Sequence, residues 1–211
     1  MKRFFSLLTA AAVLLSLSAC SQPASSTAPD EPAPAQGAAP ETSTSPAAES
    51  ADASVLIAYF SWSGNTAEMA AQIQEQTGGD LFEIVPIEPY PTDYDECGDV
   101  ALAERDSNAR PEIQNLPESI EQYDTIFIGY PIWWHTAPMI IGTFLESYDL
   151  SGVDVYPFTQ SASMDTEQFD QSMDFVRQAA AGATVHDGLF VRASDTDGIT
   201  SYLTENGFPA A

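Results

Sequence analysis

Five short apolar runs, at 54–60, 81–85, 124–130, 153–159 and 185–192, punctuate the chain, each bounded by turn-forming residues. Between them apolar positions return every three or four residues, the spacing of a helix with one buried face. That period predicts helices over 65–77, 138–148, 165–181 and 196–205. Asp165, with Gln168 three positions on, supplies a box-like helix start. The proline-rich stretch from Pro86 to Pro117 holds one further helical segment, 94–109, where a second crossover helix belongs. Strands alternating with helices predict an α/β domain, a doubly wound parallel sheet covered on both faces. Ligands in such sheets sit beyond the C-terminal strand ends, which directs attention to the loops 61–66, 131–137 and 159–164.

The periodic region covers only residues 53–211. Ahead of it, Lys2-Arg3 precede an apolar run from Phe4 to Leu17, and Leu17-Ser18-Ala19-Cys20 closes the segment. This ending resembles the lipobox of bacterial lipoproteins, and the resemblance implies a signal peptide over 1–20 with lipid carried on Cys20. The run is shorter than a membrane-spanning helix requires. Residues 21–52 are dominated by Ala, Pro, Ser and Thr, a composition that buries too little surface to offset its ordering entropy. They read as a flexible tether, placing the domain outside the cytoplasm, anchored to the cell membrane.

Charge narrows the partners. The formal charge of −25 becomes −27 once Lys2 and Arg3 are removed, and no lysine remains. Nucleic acid is excluded as a partner, since it demands a basic face. Such acidity favours solubility and suits docking to a basic redox protein. Cys97, the second of two cysteines, has no intrachain partner once Cys20 is lipidated, and it sits among acids that disfavour a thiolate. Two distant histidines and one domain cysteine predict no metal site.

The loops carry the chemistry. In Ser61-Trp62-Ser63-Gly64-Asn65-Thr66 a strand passes through hydroxyls, a glycine and an amide directly into a helix. Amides at a helix start lack internal partners and carry partial positive charge, so this layout suits a phosphate. Neither a Walker loop nor the dinucleotide fingerprint is present. Pro131-Ile132-Trp133-Trp134-His135 sets two tryptophans directly after a buried strand, where neighbours point opposite ways and an aromatic could cover a planar heterocycle.

Taken together, Ser-x-Ser-Gly-Asn-Thr and Pro-Ile-Trp-Trp resemble the flavodoxin-like family. So do Gly79-Asp80-Leu81-Phe82-Glu83-Ile84, Glu88-Pro89-Tyr90-Pro91 with Tyr94-Asp95-Glu96-Cys97, and Phe144 to Gly152. The resemblance implies a three-layer fold with a five-stranded parallel sheet in the order 2-1-3-4-5, and FMN as cofactor. It implies that Ser61, Ser63, Gly64, Asn65 and Thr66 hold the FMN phosphate, that Trp62 also belongs to the cofactor site, and that Pro131, Ile132, Trp133 and Trp134 line the ring. Relatives carry glycines after the fourth strand, whereas Phe158-Thr159-Gln160-Ser161-Ala162-Ser163-Met164 has none; Thr159 and Gln160 are the expected donors to a flavin carbonyl. His135 is the candidate proton donor to the ring or to a quinone, and His186 reads as structural. The expected function is an FMN-dependent oxidoreductase acting on a quinone-like acceptor or on NAD(P)H. The alternatives are an electron carrier without its own substrate and a flavin-free binding module.

Overall fold

A computed structural model describes residues 54–208. The export segment, Cys20 and the tether over 21–52 lie outside the described residues. The elements in chain order are β1 (Val55–Tyr59), α1 (Asn65–Thr77), β2 (Asp80–Glu83), α2 (Tyr94–Ser107), β3 (Thr125–Pro131) and α3 (Met139–Glu146). They continue with β4 (Asp154–Gln160), α4 (Thr166–Ala179), β5 (Thr184–Val185), β6 (Leu189–Phe190) and α5 (Thr196–Glu205).

The sheet runs β2-β1-β3-β4-β5 with every ladder parallel, the order the sequence implied. All seven residues of β3 are buried, as a central parallel strand with helices on both faces requires. Alternate residues feed two cores. Leu56, Ala58, Ile126 and Ile128 pack with Ile140, Ile141, Phe144 and Val176 of α3 and α4. Ile57, Phe127, Tyr156 and Phe158 pack with Met69, Ile73, Ile199 and Leu203 of α1 and α5. The three layers follow from this strict alternation.

Caps set the helix bounds. Asp165 accepts hydrogen bonds from the Glu167 and Gln168 amides, the predicted start of α4. Asp93 does the same for α2, which occupies the second-crossover position inside the proline-rich stretch.

One strand differs. The run 185–192 is two short strands, β5 and β6, both pairing with β4. The His186 N–H still donates to the Val155 carbonyl at 2.9 Å, while its ring meets Asp154 Oδ1 at 2.7 Å and stacks on Tyr156 at 4.2 Å between centroids, the structural role expected of it. Strand pairing resumes at Leu189 and stops at Phe190, so Arg192 lies in the following loop rather than in a strand.

Candidate functional site

The site opens at the C-terminal edge of the sheet, where β1, β3, β4 and β6 hand over to helices. Gly64 takes φ +89° at the α1 N-cap, and a Cβ there would meet nothing within 4 Å, so conformation rather than space selects glycine. No side chain caps this helix at Gly64. The backbone N–H groups of Ser63, Gly64, Asn65 and Thr66 donate to no other described residue, leaving four consecutive donors at the positive end of α1. Thr66 is 2% exposed and its hydroxyl bonds to no other described residue. Donors of this kind fit a phosphate ester.

Beside the loop lies a cleft of about 420 Å³, lined by Ser63, Asn65 and Glu68, by Pro131–Trp133, and by Gln160–Ala162. Arg192, Ala193 and Ser194 close its far side. A second hollow of about 600 Å³ shares Trp62, Tyr94, Ile132, Trp133, Ser161 and Ala162 with it, so the two form one trough. This second part reaches Asp95, Cys97, Gly98 and Asp99 of α2 and the side chains of Trp134 and His135. Polar groups of the α1 loop, Ser63 and Asn65, therefore stand at one part of a trough whose walls are largely aromatic, a layout that suits a flavin nucleotide with its ester end and its ring.

The walls are held from behind. Trp62 Nε1–H donates to the Pro91 carbonyl at 2.9 Å. Trp133 sits edge-on to Phe60 at 5.3 Å and to Tyr90 at 5.1 Å. Tyr90 O–H donates to Glu104 at 2.8 Å. Burial raises the pKa of both groups; the bond to Tyr90 partly offsets that rise at Glu104, whereas the bond to Glu104 adds to it at Tyr90. Burial, with Glu104 adding, also raises Cys97, which is 4% exposed and remains a thiol.

The two tryptophans part company as adjacent residues should. Trp134 turns outward, 45% exposed; its Nε1–H donates to the Gly98 carbonyl at 2.8 Å, and Arg105 donates to its carbonyl at 3.2 Å. Trp133 and Thr136 exchange two backbone bonds of 2.9 and 3.0 Å across a tight turn. Its central residues, Trp134 and His135, have φ of +49° and +66°, values that β-turns normally reserve for glycine, asparagine or aspartate. His135 Nδ1 lies 3.2 Å from Gln171 Oε1.

Of the residues the sequence singled out, Trp62, Ser63, Asn65, Pro131, Ile132, Trp133, Trp134, His135 and Gln160 line the trough. Ser61, Gly64 and Thr66 build the loop without lining it, and Ser61 Oγ accepts the Ala67 N–H at 3.2 Å. Thr159 is a correction. It is fully buried, and its hydroxyl donates to the Tyr130 carbonyl within the sheet, because strand parity turns it away from the trough. Gln160 is the neighbour that reaches the cleft. The glycine-free third loop is braced by Ser161 Oγ, which accepts the Met164 N–H at 3.0 Å, with Met164 taking φ +53°. Tyr94, Ser161, Ala162 and Arg192 line the trough without having been singled out as cofactor ligands. Arg192 falls inside the run 185–192 that the sequence reads as one strand, which hid its place at the ligand-binding edge.

Comparison with known proteins agrees with this geometry. The flavodoxin family profile matches residues 54–206. A crystal structure from Bacteroides eggerthii is 33% identical over 72% of this chain and 96% of its own, with a TM-score of 0.64. A Lactobacillus acidophilus flavoprotein in complex with FMN is 30% identical over 68% of this chain and 96% of its own, at TM-score 0.58. The apo form of the flavoprotein from Lactobacillus acidophilus is 28% identical over 69% and 96%, at TM-score 0.52. No curated protein shows significant similarity to the chain. The profile takes in every described strand and helix, and by that measure the chain belongs to the flavodoxin family.

Proposed function

We propose that this chain is an FMN-dependent oxidoreductase, held outside the cytoplasm by lipid on Cys20, that passes electrons to a quinone-like acceptor. The observation that carries the reading is the continuity of the trough. Unpaired amides at the start of α1 open into a hollow walled by Trp62, Tyr94, Trp133 and Trp134. Ser63, Asn65 and the amides of residues 63–66 would hold the phosphate, while Pro131–Trp133 and Gln160–Ala162 would hold the ring. Bound there, FMN supplies the electron chemistry, and the protein supplies position and electrostatics.

The chain's own groups would do three things. Aromatic walls exclude water from one side of the ring. Main-chain donors of the two ring loops orient it. His135, with Nδ1 facing Gln171, keeps Nε2 available to hold a proton at the mouth of the hollow. Asp95 and Asp99 line that mouth, which favours a neutral quinone over a diphosphate-bearing nicotinamide as the molecule meeting the ring there. Electrons would then enter from a basic redox partner, with NAD(P)H the less favoured source.

A carrier without its own substrate is the second reading, and the acidity of the chain favours it. Titration of the mature protein with FMN, followed by steady-state assay with a soluble quinone and NAD(P)H or a reduced partner, separates the cases. Flavin uptake with turnover supports the enzyme. Uptake with reversible reduction and no turnover supports the carrier. A folded protein that takes up no FMN at micromolar flavin refutes both.

A further inference from the structure

Four arginines serve the described domain, in a chain with 31 acids. Three have carboxylate partners: Arg105 with Asp106 at 2.7 Å, Arg110 with Glu146 at 2.7 Å and Arg177 with Asp174 at 3.4 Å. Arg192 differs. Its side chain makes no ion pair and no hydrogen bond with any described residue, yet it lines the cleft alongside Ser63 and Asn65. Its backbone is fixed there. The Arg192 carbonyl accepts the Asp195 N–H at 2.9 Å, and the next carbonyl, that of Ala193, accepts Gln72 Nε2–H of α1 at 2.8 Å. Ala193 is itself buried against the α1–α5 core, so the β6–α5 turn is bolted beside the first turns of α1.

We infer that Arg192 is the phosphate-selective residue of the cleft: its guanidinium pairs with the ester of a phosphorylated flavin and lets the site prefer FMN to riboflavin. The inference rests on the proposed flavin reading and adds to it. A guanidinium offers paired donors matched to phosphate oxygens, and such charge-assisted bonds are shorter and stronger than neutral ones. Glu68 lines the same cleft and opposes an incoming dianion, which the amides of residues 63–66 must otherwise meet alone. A cation left unmatched amid so many carboxylates is explained by a ligand that brings its own negative charge. Riboflavin has the same ring and no phosphate, so it reports on the ring pocket alone.

The test is fluorescence titration of the mature wild type, R192Q and R192K with FMN and with riboflavin, alongside thermal melts by circular dichroism. Removing an exposed charge-assisted phosphate contact weakens FMN about tenfold in R192Q, with riboflavin affinity changed less than about twofold. R192K recovers part of the loss, and the melts coincide because the side chain makes no ion pair or hydrogen bond with any described residue. Equal losses for both flavins, or no loss for FMN, overturn the inference and leave the flavin reading standing. Wild-type protein that binds both flavins equally well does the same. Wild-type protein that binds neither overturns the inference and the flavin reading together.

Discussion

Adding a single methyl group at Gly129 should unsettle the central strand. Gly129 lies on β3, in register with Tyr59 of β1 and Phe158 of β4. A Cβ there falls 2.2 Å from Phe158 Cζ and 2.4 Å from Cε2, so the ring lies across the space a side chain needs. The Phe158 ring is fully buried, packed in the core that Ile57 and Phe127 share with α1 and α5. To restore ordinary carbon–carbon separation the ring must retreat by more than about 1 Å into close-packed surroundings. Gly129→Ala is therefore placed near 3 kcal/mol of destabilisation, the upper end for overpacking. With a denaturant dependence of about 2 kcal/mol per molar urea, the midpoint falls by roughly 1.5 M. The companion experiment is the double mutant with Phe158→Leu, whose smaller side chain vacates the contested space. Its cost should undershoot the sum of the two single costs by at least about 1 kcal/mol. A Gly129→Ala loss below about 1 kcal/mol, or strict additivity with Phe158→Leu, refutes the steric account.

Ser61→Ala removes the bond to the Ala67 amide and should cost about 1 kcal/mol in urea melts with little change in flavin affinity; unchanged stability with much weaker flavin binding would make Ser61 a ligand instead. Arg110 bonds Glu146 and thereby holds its carboxyl below the ordinary value, so this stabilisation is present above the ordinary carboxylate pKa and is lost as pH falls through the lowered one. The pair is partly exposed, so Glu146→Gln should flatten the acid limb of a stability–pH curve by less than about 1 kcal/mol, and a steeper limb contradicts the assignment. His135→Gly relieves a left-handed residue at φ +66° and should raise stability by up to about 1 kcal/mol while slowing quinone turnover roughly a hundredfold. Turnover that survives the change removes His135 from the chemistry.

Much of this was legible in the chain because the determinants are local. The helices at 65–77 and 196–205 match the structure residue for residue, and Asp165 marks the start of α4 through bonds its own side chain makes. The Trp133–Trp134 divergence follows from extended-chain geometry, and the structure adds only where each ring lands. What escaped depended on register. Thr159 and Gln160 are equally polar, and only pairing with Tyr130 and Pro131 decides which of them faces the sheet. Arg192 was hidden by the apolar look of 185–192, which reads as one strand. The break comes from distant partners: His186 meets Asp154, Tyr202 O–H donates to the Asp187 carbonyl at 2.7 Å, and Gly188 packs beneath Met173. No local pattern announces those three contacts.

Helices α2, α4 and α5 are each finished at the front by an aspartate, Asp93, Asp165 and Asp195, whereas Gly64 gives α1 no side chain in that role and Ser61 Oγ reaches only the Ala67 amide. Whatever anion settles on residues 63–66 becomes the missing terminus of a core helix, and so a component of the architecture as much as a passenger. Flavin supply and structural integrity are then one equilibrium: amide hydrogens at Asn65 and Thr66 exchange faster than those at Asp95 and Glu96 in the empty protein, and the order reverses on saturation.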